Sequence, residues 1–121
     1  MAGLTSLQKL PSRLVQLKLR QCSGLKRLPA LPPRLTVLDL AGCAGLTRVP
    51  DLPLSLRLAY LSECDKLRSL PELPPGLKVM HLHGCNGLTG LPDLPASLEA
   101  LGVKGCTGLK IWVRSDFHIE M

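Results

Sequence analysis

Aromatic residues are almost missing from this chain: Tyr60, Trp112 and Phe117 make up 2% of its 121 residues. Ring packing therefore cannot build the core, and no stacking platform is offered to nucleic-acid bases, so nucleic acid is not an expected partner. No apolar run approaches the ~18 residues of a membrane-spanning helix, which leaves no expected role in a membrane. The opening residues lack the charged-then-apolar pattern of a secretory signal. No two cysteines stand two to four residues apart, the spacing that zinc sites use. Acidic residues are missing from the first 38 positions, which carry seven basic ones: Lys9, Arg13, Lys18, Arg20, Lys26, Arg27 and Arg34. The rest of the chain holds eight basic and nine acidic residues, so the net charge of +6 belongs to one end. Such an end can steer an acidic partner, or it can be a solvated surface.

What is present is a ruler. The five cysteines, Cys22, Cys43, Cys64, Cys85 and Cys106, are separated by 21 residues each time. The same period aligns Leu10, Leu31, Leu52, Leu73 and Leu94, each followed by proline, and it aligns further leucines and prolines behind them. The unit reads L-P-x-x-L-x-x-L-x-L-x-x-C-x-x-L-x-x-L-P-x. A fixed period in this range with this leucine spacing predicts a leucine-rich repeat solenoid.

The L-x-L before each cysteine alternates as a strand does, with its leucines turned inward and the intervening residues outward. Stacked units then make a parallel, concave sheet with strands about 4.8 Å apart. The return path carries two prolines three residues apart, which predicts an extended, polyproline-like convex side and little helix. No repeat buries its apolar face alone, whereas five stacked units share one core. The expected organisation is a solenoid over residues 1–109, with a partial first repeat over 1–9 and five repeats from residue 10. Residues 110–121 form a cap or tail, in which Ile111, Trp112, Val113, Phe117 and Ile119 fold over the last coil.

Met1 stands where later repeats have cysteine. The expectation is a segment of a longer repeat protein or an engineered unit, with an uncapped N-terminal edge through which copies could stack.

The cysteines share one place, just past the strand, where a small side chain with a weak S–H donor can be buried against a loop carbonyl. In-register side chains point the same way, which disfavours disulfides between neighbours, and an odd number leaves one unpaired. Reduced thiols with a structural role, in a reducing cytoplasmic compartment, are the expectation. Cys64 is one member of the series and has no adjacent base, so no catalytic residue is assigned. His81 and His83 stand two apart on one strand face, with Asp39 and Tyr60 in the column of His81. Two histidines and an aspartate invite the thought of a metal, but the plainer reading is a recognition surface, and no metal or cofactor is expected.

Three outward columns define that surface: Gln16, Val37, Leu58, Val79, Ala100; then Lys18, Asp39, Tyr60, His81, Gly102; then Arg20, Ala41, Ser62, His83, Lys104. They vary between repeats while the core positions barely change. Val37, Leu58 and Val79 are expected to form an exposed apolar stripe beside Asp39, Tyr60, His81 and His83. Lys18 and Arg20 mark a basic end, with Arg57, Lys78 and Lys104 along the rim. An aromatic and aliphatic centre inside a charged rim is the usual anatomy of a protein interface. The third repeat departs most from the pattern, with Ala59 in place of a core leucine and Lys66 in place of a glycine.

The tract L-P-x-L-P-x-x-L-x-x-L-x-L, as in 70–82 and 91–103, resembles the leucine-rich repeats of bacterial type III secreted effectors, the Yop M-like proteins and the IpaH-type ubiquitin ligases. The resemblance spans roughly residues 4–110. Asparagine is usual in that family where this chain has cysteine, and the C-x-x-L segment here is one residue longer. Both features are similar to the repeats of plant intracellular immune receptors. The resemblance implies a non-enzymatic virulence module that binds a host protein through its concave face in the host cytosol. It also leaves open the substrate-recognition region of a ubiquitin ligase and a ligand-sensing fragment of an immune receptor.

Overall fold

The computed structural model of the chain describes residues 7–109 and 118–120; Ile111, Trp112, Val113 and Phe117 of the expected cap lie outside them, as do residues 1–6 of the partial first repeat. Each repeat contributes one short strand: β1 Gln16–Lys18, β2 Val37–Asp39, β3 Leu58–Tyr60, β4 Val79–His81 and β5 Ala100–Gly102. A further strand, β6 His118–Glu120, follows. All six form one parallel sheet in sequence order. From β1 to β5 each residue pairs with the one 21 positions later, as Asp39 with Tyr60 and Tyr60 with His81. The last pairing is shorter by three residues, Ala100 with His118. No helix occurs among the described residues. The chain is a leucine-rich repeat solenoid of 21-residue units.

Local chemistry closes each coil. At its start the carbonyl of a proline accepts the N–H of a leucine three residues on, as in Leu35 N to Pro32 O at 3.3 Å and Leu77 N to Pro74 O at 3.1 Å. Proline fixes φ there and needs no partner for a missing N–H. The strand follows, and the ladder continues past its formal end, with Leu40 N on Tyr60 O and Gly42 N on Ser62 O, both at 2.8 Å. The residue before each cysteine then turns left-handed: Gln21, Gly42, Glu63, Gly84 and Gly105 all have φ between 61° and 81°. The cysteine N–H folds back on the strand, as in Cys85 N to Leu82 O at 3.1 Å.

Beyond the cysteine, burial recurs at every third residue: Leu46, Val49 and Leu52 face the core. Three residues per turn is the period of an extended polyproline-like chain, and the prolines between these positions hold the segment in that form. The core lies between this return layer and the sheet. Leu35, Leu38, Leu40 and Leu46 are fully buried in one unit, and their counterparts in the next units continue the column. Each such leucine contributes about 1.5–3 kcal/mol relative to exposure. No polar or charged side chain is buried among the described residues.

Candidate functional site: the outward face of the sheet

The period-two alternation of the strands puts Leu17, Leu38, Ala59, Met80 and Leu101 inside and their neighbours outside. The register brings Val37, Leu58 and Val79 into one row across the strands and Asp39, Tyr60 and His81 into the next. The apolar stripe is less exposed than its sequence suggests. Val37, Leu58 and Val79 are half-buried, because neighbours on strands about 4.8 Å apart shield one another's branched side chains. The exposed large hydrophobics among the described residues are Val15 and Leu54. Gly102, expected to face outward, is buried. The ring of His83 covers it, so that a Cβ built on Gly102 would stand 2.6 Å from His83 Cε1.

Three rings meet on the face, Tyr60 beside His81 across the strands and His83 beside His81 along the chain. Tyr60 and His81 meet edge to face, with centroids 5.1 Å apart and planes inclined at 61°. His81 and His83 follow at 5.5 Å and 53°. Edge-to-face pairs of this kind add to the packing of a surface cluster and fix ring orientation. Asp39 is turned toward the basic end: its carboxylate lies 3.6 Å from Arg20 Nε and accepts the Ala41 N–H at 3.2 Å. Its side chain is 13% exposed, against 65% for Arg20. Lys18 is exposed beside it. Arg20, Asp39, Tyr60, Ser62, Glu63 and His81 line a shallow depression of about 320 Å³. Among the described residues no group of three or more His, Cys, Asp or Glu could hold a metal ion. Asp39 and the two histidines are thus neighbours on a surface without converging on one point.

Two residues of the depression escaped the sequence reading. Gln21 and Glu63 also line it, and both hold left-handed backbone conformations that Gly42, Gly84 and Gly105 hold in the other coils. The signal was legible, since the position before each cysteine is glycine in three repeats and not in two. A non-glycine residue kept in this region costs stability and is found most often where the side chain has work to do.

The cysteines stand behind this face; all five are buried and none forms a disulfide. The thiols of Cys43, Cys64, Cys85 and Cys106 donate to the carbonyls of Leu19, Leu40, Leu61 and Leu82 in the preceding coil, at 3.0, 3.4, 3.0 and 2.8 Å. Burial pushes Cys64 up to about 12 and Cys85 up to about 11 from the ordinary 9.0. Cys43 and Cys106 are raised for the same reason. These thiols stay protonated near neutrality, and a protonated thiol is a poor nucleophile and metal ligand. Their chemistry here is to tie one coil to the next.

No family model and no curated protein matches the chain. Its functional reading therefore rests on the sheet face itself.

Proposed function

We propose that the chain is a non-enzymatic protein-interaction module that binds a partner protein through the sheet face. The observation that carries this reading is the ring cluster Tyr60, His81 and His83, in contact with one another beside the half-buried Leu58 and Val79. Pre-oriented rings next to aliphatic side chains suit an interface centre, because little side-chain freedom is lost when a partner covers them. Lys18, Arg20 and Lys104, all exposed around this centre, favour a partner whose contact surface is acidic. Five buried cysteines without a disulfide suit a reducing compartment. The likeness of the repeats to those of secreted effectors favours a host protein as the partner.

The experiment is site-specific photo-crosslinking in lysate. A photoreactive aromatic residue replaces Tyr60 in one sample and Asn86, exposed on the turn edge, in another. The reading expects a discrete covalent product from position 60 and none from position 86. Equal labelling from both positions, or none from position 60, counts against it.

A further inference from the structure

The corner where each coil leaves its cysteine turn and enters the return layer carries a cluster of one charge. Lys26 and Arg27 follow the buried Leu25 in the coil of β1, and Thr47 and Arg48 follow the buried Leu46 in the coil of β2. The 21-residue period sets Thr47 next to Lys26 and Arg48 next to Arg27 across the two coils. The backbones are joined there, with Thr47 N on Lys26 O at 3.2 Å. All four side chains are exposed, and they surround a depression of about 340 Å³.

Every charged side chain lining this depression is positive. By contrast, Asp39 and Glu63 line the depression on the sheet face, and Glu72 and Asp93 line one of about 840 Å³ on the return face. None of Lys26, Arg27 and Arg48 is ion-paired with a carboxylate among the described residues; the pairs Arg20–Asp39 and Lys78–Glu99 lie elsewhere. Asp51, the nearest acid in sequence, follows Arg48 by three residues, which is about 9 Å along an extended chain. Arg68, exposed one coil further on in the column of Lys26 and Thr47, adds a fourth cation nearby. Like charges in register on adjacent coils repel each other, so the Arg27–Arg48 pair favours an anion set between its two forks. Thr47 removes a local obstacle to that anion. Its N–H and its hydroxyl both donate to Lys26 O, at 3.2 and 3.3 Å, so the lone pairs of that carbonyl are engaged.

We infer that this corner binds a small anion with two linked phosphoryl groups, a diphosphate. Guanidinium forks take phosphate oxygens in pairs, and lysine adds a point charge. Arg27 and Arg48, one coil apart, offer two forks, one for each phosphoryl group. Lys26 stands beside Arg27 and supplies a third charge. A lone carboxylate fills one fork and leaves the other arginine unmatched. The volume lies at the lower end of small-molecule sites, about 300–1,000 Å³, which suits a compact anion. No aromatic side chain lines the depression. The base of a nucleotide therefore gains no stacking there, and the diphosphate itself is what is recognised. No strand residue of the sheet face lines this depression, and the inference stands whether or not that face binds a partner.

The test is equilibrium dialysis against labelled inorganic pyrophosphate, at about 0.05 M salt so that exposed charges are not fully screened. One variant carries Arg27→Gln with Arg48→Gln. The control carries Arg13→Gln with Arg34→Gln, a second exposed pair 21 residues apart that lines no part of the depression. Both variants lose the same charge, and circular dichroism confirms that each folds. The wild type is expected to bind pyrophosphate saturably. The control is expected to bind within about twofold of wild type, and the Arg27/Arg48 variant at least about tenfold more weakly, as charge-assisted hydrogen bonds are lost. Inorganic phosphate should compete less well than pyrophosphate. Adenosine diphosphate should compete within about threefold of pyrophosphate, since nothing stacks its base. A wild type without saturable binding overturns the inference. So does an equal loss in the two variants, which would make the effect one of net charge alone. Phosphate that competes as well as pyrophosphate overturns the two-phosphoryl assignment. So does adenosine diphosphate that binds the Arg27/Arg48 variant as tightly as the wild type.

Discussion

The imidazole of His83 covers Gly102 of the next coil, so closely that a Cβ on that glycine would sit 2.6 Å from Cε1. The orientation of one ring on the sheet face is therefore set by a missing side chain on the neighbouring strand. Gly102→Ala is expected to swing the ring of His83 away. The obstacle is a movable ring, so stability should change by less than about 1 kcal/mol. The imidazole resonances of His83 in a proton–nitrogen spectrum report the movement; unshifted resonances would show that the ring is held by something else.

Glycine answers a harder constraint on the turn edge. A Cβ on Gly87 would lie 2.6 Å from the backbone oxygen of Asp65 and 3.0 Å from that of Leu67. Backbone cannot rotate aside as His83 can. Gly87→Ala is expected to cost about 1–3 kcal/mol, the range for overpacking, measured by urea unfolding. A cost no greater than that of Gly102→Ala would contradict this account of coil stacking.

The left-handed column before the cysteines gives a prediction of opposite sign. Glu63 has φ of 61°, where Gly84 has 75°. Glu63→Gly relieves about 1–2 kcal/mol of left-handed strain and gives back part of that as glycine's extra unfolded-state freedom. A net gain of about 0.5–1 kcal/mol is expected, visible as a raised thermal midpoint. Gly84→Ala should lose stability, because it adds strain and meets Glu63 Cγ at 3.3 Å. A destabilised Glu63→Gly would mean that the glutamate makes compensating contacts.

Cys85→Ala removes the thiol that donates to Leu61 O at 3.0 Å. Leaving that buried carbonyl without its donor should cost about 1–3 kcal/mol. The same thiols make stability depend on alkaline pH. An unfolded thiol ionises near the ordinary 9.0, whereas folded Cys64 ionises at about 12. Between these values the folded chain holds more protons than the unfolded one, so stability falls as pH rises. The contribution is intact below pH 9 and is lost progressively toward 12. Cys64→Ala should flatten that decline in a series of unfolding curves, and an unchanged slope would assign it to other groups.

The architecture was legible because burial at fixed spacing fixes it. The L-x-L alternation and the L-x-x-L return segments gave the strands, their register and the polyproline-like layer. The cysteine series marked where each coil turns. What the period could not supply were relations between unlike residues. The covering of Gly102 by His83 depends on the size of one neighbour. The pairing of Asp39 with Arg20 depends on which way a carboxylate turns when two cations are near. Exposure was overestimated for Val37, Leu58 and Val79, because alternation tells direction but not how far parallel neighbours shade each other. Strand β6, His118–Glu120, lies where the repeat lapses and its three-residue-shorter step breaks the ruler.

The central claim, that the sheet face recognises a protein, is tested most directly by affinity capture with three baits side by side. They are the wild type, Leu58→Asp with Tyr60→Ala, and the return-face variant Glu72→Lys with Asp93→Lys, each with an unchanged circular dichroism spectrum. The account predicts a specific protein retained by the wild type and by the return-face variant, and lost from the Leu58/Tyr60 variant. Retention of that protein by the Leu58/Tyr60 variant at undiminished yield would contradict it.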